Sequence, residues 1–353
     1  MIRTVFLVFL SFITFDLSAE NLSDQLARLN KPSDFRTQFY KEEGYLQAWN
    51  FSFQNKDYKV FCTFLVSNFG PGSKNNGISV LVKHKDNPVF YSTQEFGENE
   101  YAMKSGQFFQ QSGENWMDYK NGKYTIHMVF PDWIFDLEFS PTQKSGVAIS
   151  GGKLLLSDES KFIQADIPVS FANVSGNIFY KGTPEFVEGT GGIEHLLTNY
   201  EVYKYSKKWE IVRTISADGT RILTGGFMGT DKIPGGFFRK VAVLSKKGEL
   251  LLEGTISRME TLEEEIEPIS NYKLPKKERL YFGENEKCYF DIYRKQTIAA
   301  ISALENISSL LRFFIGLFFA KPYQIHADVE IELSCDVWSG KGKGLHSYYL
   351  INH

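Results

Sequence analysis

The sequence predicts an all-β protein: two antiparallel β-barrels or sandwiches packed together, with one apolar helix near the C-terminus. Three observations carry that expectation. Apolar and polar residues alternate with period two in both halves, at Trp49, Phe51 and Phe53 and again from Tyr323 to Val337. Turn-forming clusters interrupt the alternation at short intervals, among them NFGPGSKNNG (68–77), Asn121-Gly122 and Asp218-Gly219. The 353 residues exceed the roughly 100–200 of one ordinary domain, so two sheets have room to form.

The N-terminus reads as an export signal over residues 1–19. Arg3 supplies the charged start, Thr4 to Phe15 an apolar run, and Leu17-Ser18-Ala19 a small-residue end with cleavage expected near Ala19. An uncleaved anchor is the alternative. The expected destination is the periplasm, the cell surface or the medium. Residues 20–44 read as a helical lead, because the spacing of Leu22, Leu26, Leu29 and Phe35 suggests a short helix ending around Lys31-Pro32, and the pattern switches to period two after Glu43-Gly44.

A first β domain is expected over 45–180. Tyr58 to Val66 is a nearly continuous apolar strand, Ile78 to His84 returns after the turn cluster, and further strands follow at Pro88–Ser92, Gln107–Gln110, Tyr124–Phe130 and Trp133–Ser140. Val169-Ser170-Phe171 reads as the closing strand, and 173–188 as a connection. A second β domain is expected over 181–353. Its hairpins turn at Asp218-Gly219 and at Lys246-Lys247-Gly248, and Arg279–Phe282 pairs with Lys287–Tyr293. Thr297 to Ala320 reads as the helix, with Ile298, Ile301, Leu304, Ile307, Leu311, Phe314 and Phe318 near period 3.6. It either caps an open barrel end or touches a membrane surface through Phe313 to Ala320. Glu305 and Arg312 argue against a span.

The formal charge of -3, with both signs mixed along the chain, excludes a nucleic-acid binder. Six scattered histidines give no pair at metal-ligand spacing, so no metal or cofactor is implied. Phosphate loops, dinucleotide fingerprints and nucleophile elbows are absent. Aromatic residues make up 15%, which fits a large ligand pocket or a large β core equally. Of the three cysteines, Cys288 and Cys335 are the preferred disulfide; three buried free thiols are the alternative.

The densest stretch is Gly189 to Trp209, GTGGIEHLLTNYEVYKYSKKW, which reads as the crossing between the halves. Glu194 and His195 are the only adjacent acid and imidazole in the chain, and with Tyr200, Tyr203 and Trp209 they form the candidate ligand-binding set. In Tyr323 to Val337 the polar row Gln324, His326, Asp328, Glu330 and Glu332 is either a solvent face or a cavity wall. In the second case His326 and Asp328 are candidate acid or base groups, as are Glu194 and His195.

KVFCTFLVSNFG (59–70), GGIEHLLTNYEVYKYSKKW (191–209) and Ala320-Lys321-Pro322-Tyr323 together resemble the Svf1-like and AttH/CrtC-like proteins, over most of the chain after Trp49. Glu201-Val202-Tyr203 departs from that family, standing where a proline-histidine element is expected. The resemblance implies two lipocalin-like barrels and a function in one of two classes. One is a non-enzymatic carrier of a long apolar ligand, a lipid or isoprenoid. The other is a hydratase or cyclase that protonates an isoprenoid double bond. A protein-binding surface module is a third class that the sequence leaves open.

Overall fold

In this computed structural model, the structure describes residues 28–30, 32–41, 43–68, 75–104, 106–142, 146–148, 153–156, 160–230, 233, 236–302 and 322–351. The signal segment 1–19 and the candidate membrane-contacting stretch 313–320 lie outside these residues.

Among the described residues, twenty-two strands form two sheets. The first sheet holds β1 (Arg28–Asn30), β2 (Leu46–Gln54), β3 (Tyr58–Ser67), β4 (Asn75–His84), β5 (Phe90–Phe96), β6 (Tyr101–Met103) and β7 (Phe109–Ser112). It continues with β8 (Asn115–Lys120), β9 (Lys123–Phe130), β10 (Trp133–Pro141), β11 (Gly146–Ala148), β12 (Leu154–Leu155), β13 (Phe162–Tyr180) and β14 (Thr183–Thr198). The second holds β15 (Ser206–Ile215), β16 (Arg221–Gly229), β17 (Phe237–Leu244), β18 (Leu250–Ile266), β19 (Lys273–Phe282), β20 (Cys288–Ser302), β21 (Tyr323–Ser334) and β22 (Gly340–Leu350).

The first sheet runs β5-β4-β3-β2-β14-β13-β10-β9-β8-β7-β6 and curls until its ends almost meet. There the Asn115 side-chain amide on β8 donates to Gln94 Oε1 on β5 at 3.3 Å. Its interior is filled by aromatic side chains, with Trp49, Phe51, Phe64, Phe135 and Phe139 all buried in one cluster. The high aromatic content therefore goes into a packed core here and leaves no open barrel. The second sheet is a closed eight-stranded barrel in which β15 pairs with both β16 and β22.

Four expectations change. Residues 183–198 are β14, inserted between β2 and β13 of the first sheet, so an expected boundary at 180/181 falls inside a long hairpin. The glycines of the crossing are strand glycines: a Cβ on Gly191 would sit 2.2 Å from the Ser52 carbonyl, so glycine permits close approach rather than a turn. The expected helical lead contains β1, paired with β11, and a 3-10 turn at Pro32–Phe35. Proline cannot donate and biases its predecessor to extended backbone, which breaks helical periodicity at that point. The turn inserts Phe35 into the first core, where its carbonyl accepts the Trp49 indole N–H at 2.9 Å. Finally, Thr297 to Ser302 continue β20, paired with Tyr323–Ala327 of β21; the rest of the expected helix, 303–320, lies outside the described residues. In Ile298-Ala299-Ala300-Ile301, a run of small and β-branched residues, the ladder to β21 satisfies the backbone and overrides helical spacing. No helix among the described residues is long and apolar enough to cross a membrane.

Cys288 and Cys335 form a disulfide between the ends of β20 and β21, and Cys62 is a buried free thiol. The bridge closes a segment of sequence separation 47 at the apolar end of the second barrel. Chain-entropy arguments assign such a loop about 4 kcal/mol. Cys288→Ser is thus expected to lower stability by about 2–4 kcal/mol, read as a shift in urea midpoint that dithiothreitol reproduces in the wild type. An unchanged midpoint in both experiments would remove the bridge from the fold's stability.

Candidate functional site

Two polar arrangements are built by strand alternation, one between the barrels and one inside the second. The first starts from Glu194 and His195. Neighbours on a strand point to opposite faces, so β14 sends these two side chains apart. His195 enters the first barrel, where its Nδ1 lies 2.9 Å from Asp166 Oδ2 and its Nε2 2.8 Å from Gln47 Nε2. Asp166 also accepts from the Gln164 amide at 2.7 Å, and His195 is fully enclosed beside Trp49. Both ring nitrogens are engaged, so this imidazole fixes the registry of β2, β14 and β13 and faces no ligand space.

Glu194 points outward, toward the second barrel, and grips Arg213 of β15 through both carboxylate oxygens. Arg213 Nη1 donates to Ser347 Oγ at 2.9 Å, and the same hydroxyl lies 2.9 Å from His326 Nδ1. His326 is buried against Phe61. Burial, with the nearby Arg213 charge, lowers its pKa to about 3, so it is a neutral imidazole at physiological pH. Asp328, two residues along the same face of β21, pairs with Lys59 of β3 at 2.6 Å. The polar row of β21 therefore faces the first barrel at its His326 end.

These groups edge a crevice of about 110 Å³ between the barrels. Its walls are largely apolar: Phe61 and Leu81 from the first sheet, with Ile167 and Phe171, face Leu223 and Leu345 from the second. Arg221 also lines it. Of the candidate ligand residues Glu194 lies here, joined by the candidate acid-base groups His326 and Asp328; His195, Tyr200, Tyr203 and Trp209 do not. Tyr200 and Trp209 belong to a separate aromatic joint with Tyr205, Phe227 and Phe238, and Tyr203 lies on a single helical turn at Val202–Tyr205.

The second arrangement was not anticipated. On β15, β17 and β19, the charged residues Glu210, Arg239 and Glu278 are in phase with the inward-facing Val212, Val241 and Leu280. Period two thus sends them into the barrel. Arg239 Nη1 donates to Glu210 Oε2 at 2.9 Å and to Glu278 Oε1 at 3.3 Å, Lys208 also pairs with Glu210, and His346 Nε2 lies 3.6 Å from Glu210 Oε2. Lys208 and Arg239, working against the cost of burial, hold Glu210 well below the usual carboxylate range. Burial and the Glu210 charge push Glu278 up. Burial lowers His346 to about 4. The donor atoms of Glu210, Glu278 and His346 lie within 4.8 Å of one another. Arg239 and Lys208 already neutralise those carboxylates, so the chemistry of the cluster is that of an internal ion network and not of a cation site. The signal in the sequence was the phase of each charge within an apolar alternation, which Arg213 between Ile211 and Ile215 and Arg221 before Leu223 carry as well.

The two curled sheets and the crevice between them define the class: a double β-barrel protein with a crevice at the joint. No protein-family model and no curated protein matches the sequence. Among solved structures, an AttH-type protein of Nitrosomonas europaea is similar over 92% of this chain and 97% of its own, at 12% identity and TM-score 0.65. The structure of CghA with Sch210972 is similar at 11% identity and TM-score 0.60, covering 92% and 99%. Kievitone hydratase from Nectria haematococca is similar at 9% identity and TM-score 0.60, covering 94% and 95%. At these identities the likeness establishes the AttH-like fold, and none of the three bears on the Svf1 side of the resemblance.

Proposed function

We propose that this is an exported binding protein that holds an apolar small molecule, a lipid or isoprenoid, in the crevice between its barrels, for carriage or sequestration. The observation behind this reading is the crevice: the first barrel is packed with aromatic rings, and the second with an apolar cluster and an ion network, while the joint offers apolar walls with polar groups at their edge. Each 100 Å² of ligand surface buried there contributes about 2.5 kcal/mol before the costs of association. At about 110 Å³ the crevice is smaller than a typical ligand pocket of roughly 300–1,000 Å³, so a long molecule places one end inside and runs outward along the cleft. The Cys288–Cys335 bridge supports an oxidising destination, the periplasm or cell surface. Transient membrane contact through Phe313 to Ala320 would serve loading.

A hydratase or cyclase is the second reading, favoured by the fold neighbour named as kievitone hydratase. Such chemistry needs a protonated acid beside the double bond. In the crevice His326 is neutral and Glu194 is clamped by Arg213, so neither is poised to donate. The buried carboxyl with a raised pKa, Glu278, sits inside the second barrel.

The test is mass spectrometry of organic extracts from protein purified without detergent from its native host. The expected result is a stoichiometric lipid or isoprenoid that stays unchanged when the complex is held in ¹⁸O-water. Incorporation of labelled water into the ligand would replace the carrier by the hydratase. An empty protein that also ignores fluorescent acyl and polyene probes would overturn both and leave a protein-binding module.

A further inference from the structure

Building on that apolar crevice, we infer that its ligand carries a carboxylate and that Arg221 is the counter-ion. Arg221 lies at the start of β16, opposite Ile215 of β15, and lines the crevice with Leu223 two residues on. It is 7% exposed, its guanidinium carbon stands 3.6 Å from the centre of the Phe171 ring, and its Nε has no hydrogen-bond partner. No carboxylate among the described residues pairs with it. Burial lowers its pKa to about 10 with no neighbouring charge to offset the loss.

The other cations of the crevice differ. Arg213 is clamped by Glu194, Lys59 pairs with Asp328, and Lys343 pairs with Glu330 at 2.8 Å. Among the described residues Arg221 is thus the crevice cation without a carboxylate partner, and it is a planar five-donor fork whose face is covered by Phe171 while its Nε remains unused. Leaving such a group buried without a partner is costly, and stacking on one ring recovers about 0.5–2 kcal/mol of that cost. A carboxylate matches the fork with two parallel charge-assisted bonds. The apolar walls beside it then take the hydrocarbon, which makes the ligand class an amphipathic carboxylic acid and not a neutral hydrocarbon.

Decanoate and decan-1-ol share a chain and differ in the head group, so calorimetric titration of the full chain with each separates the two questions. The wild type is expected to bind decanoate at least about tenfold more tightly than decan-1-ol. Arg221→Gln is expected to abolish that preference, read as the ratio of the two affinities within each variant, and Arg221→Lys to retain part of it. Equal affinities in the wild type would overturn the anion assignment and leave the apolar crevice standing; binding of neither would overturn both. Should the variants fail to fold, the Arg221 Nε–H resonance of the wild type decides. A shift with decanoate and none with decan-1-ol supports the pairing, and no shift with either means that Arg221 only stacks on Phe171.

Discussion

Arg239→Met is expected to destabilise the protein by about 3–5 kcal/mol, the usual cost of removing one partner from a buried ionic group. Arg239 is 3% exposed and joins Glu210 to Glu278. Without it Glu210 keeps Lys208, whereas Glu278 keeps no cation at hydrogen-bond distance among the described residues and must stay protonated. The double variant Arg239→Met with Glu278→Gln is therefore expected to recover more than half of the loss. Urea unfolding of the single and double variants reads both values. A single variant within about 0.5 kcal/mol of wild type would show that the network contributes little, as exposed ion pairs do.

Acid is expected to destabilise the fold well above the carboxylate range. His326 and His346 are both enclosed, with values lowered by burial to about 3 and about 4 from the ordinary 6.5. The sign follows from those directions. As pH falls through 6.5 the unfolded chain takes up protons that the folded chain cannot, so the stability contributed by the neutral rings is complete above 6.5 and shrinks until about pH 4 for His346 and about pH 3 for His326. Each such proton is worth about 1.4 kcal/mol per pH unit, so the pair removes on the order of 5 kcal/mol between pH 6.5 and 4. Glu278 acts in the opposite direction: its raised carboxyl takes up a proton in the folded state first, adding stability as pH falls. Glu210 is held low, so its contribution survives this window and is lost only below it. Urea midpoints at pH 7, 6, 5 and 4 measure the slope, and His346→Gln is expected to remove roughly half of it. A flat profile over that range would mean that both imidazoles take up their protons in the folded state as readily as in the unfolded chain.

The all-β class, two sheets and alternating strands such as Tyr323–Ser334 were readable in the sequence, because strand periodicity is a local property imposed by the pleat. The alternation of β21 put His326 and Asp328 on one face and Ile325 and Ala327 on the other, as found. The Glu194-His195 pair shows the limit of that reading. Adjacency in sequence suggested one acid-base site, and in β14 adjacency is what separates them, one into the first core with Asp166 and one into the joint with Arg213. Charges in phase with apolar residues, as in Glu278 before Leu280 and Phe282, are visible in the sequence, but no local rule says that a barrel will close around them.

The sequence by itself determined which residues share a strand face, through composition, period and turn chemistry. Which sheet a strand joins, and so where 183–198 belongs, was decided by tertiary structure, because the ladder of β14 to β2 pairs residues some 140 positions apart. The same holds for Arg221: its burial, its stacking on Phe171 and its missing counter-ion arise only when the second barrel docks on the first. Partnerless charge is a property of what surrounds a side chain in space, and the order of residues along the chain does not carry it.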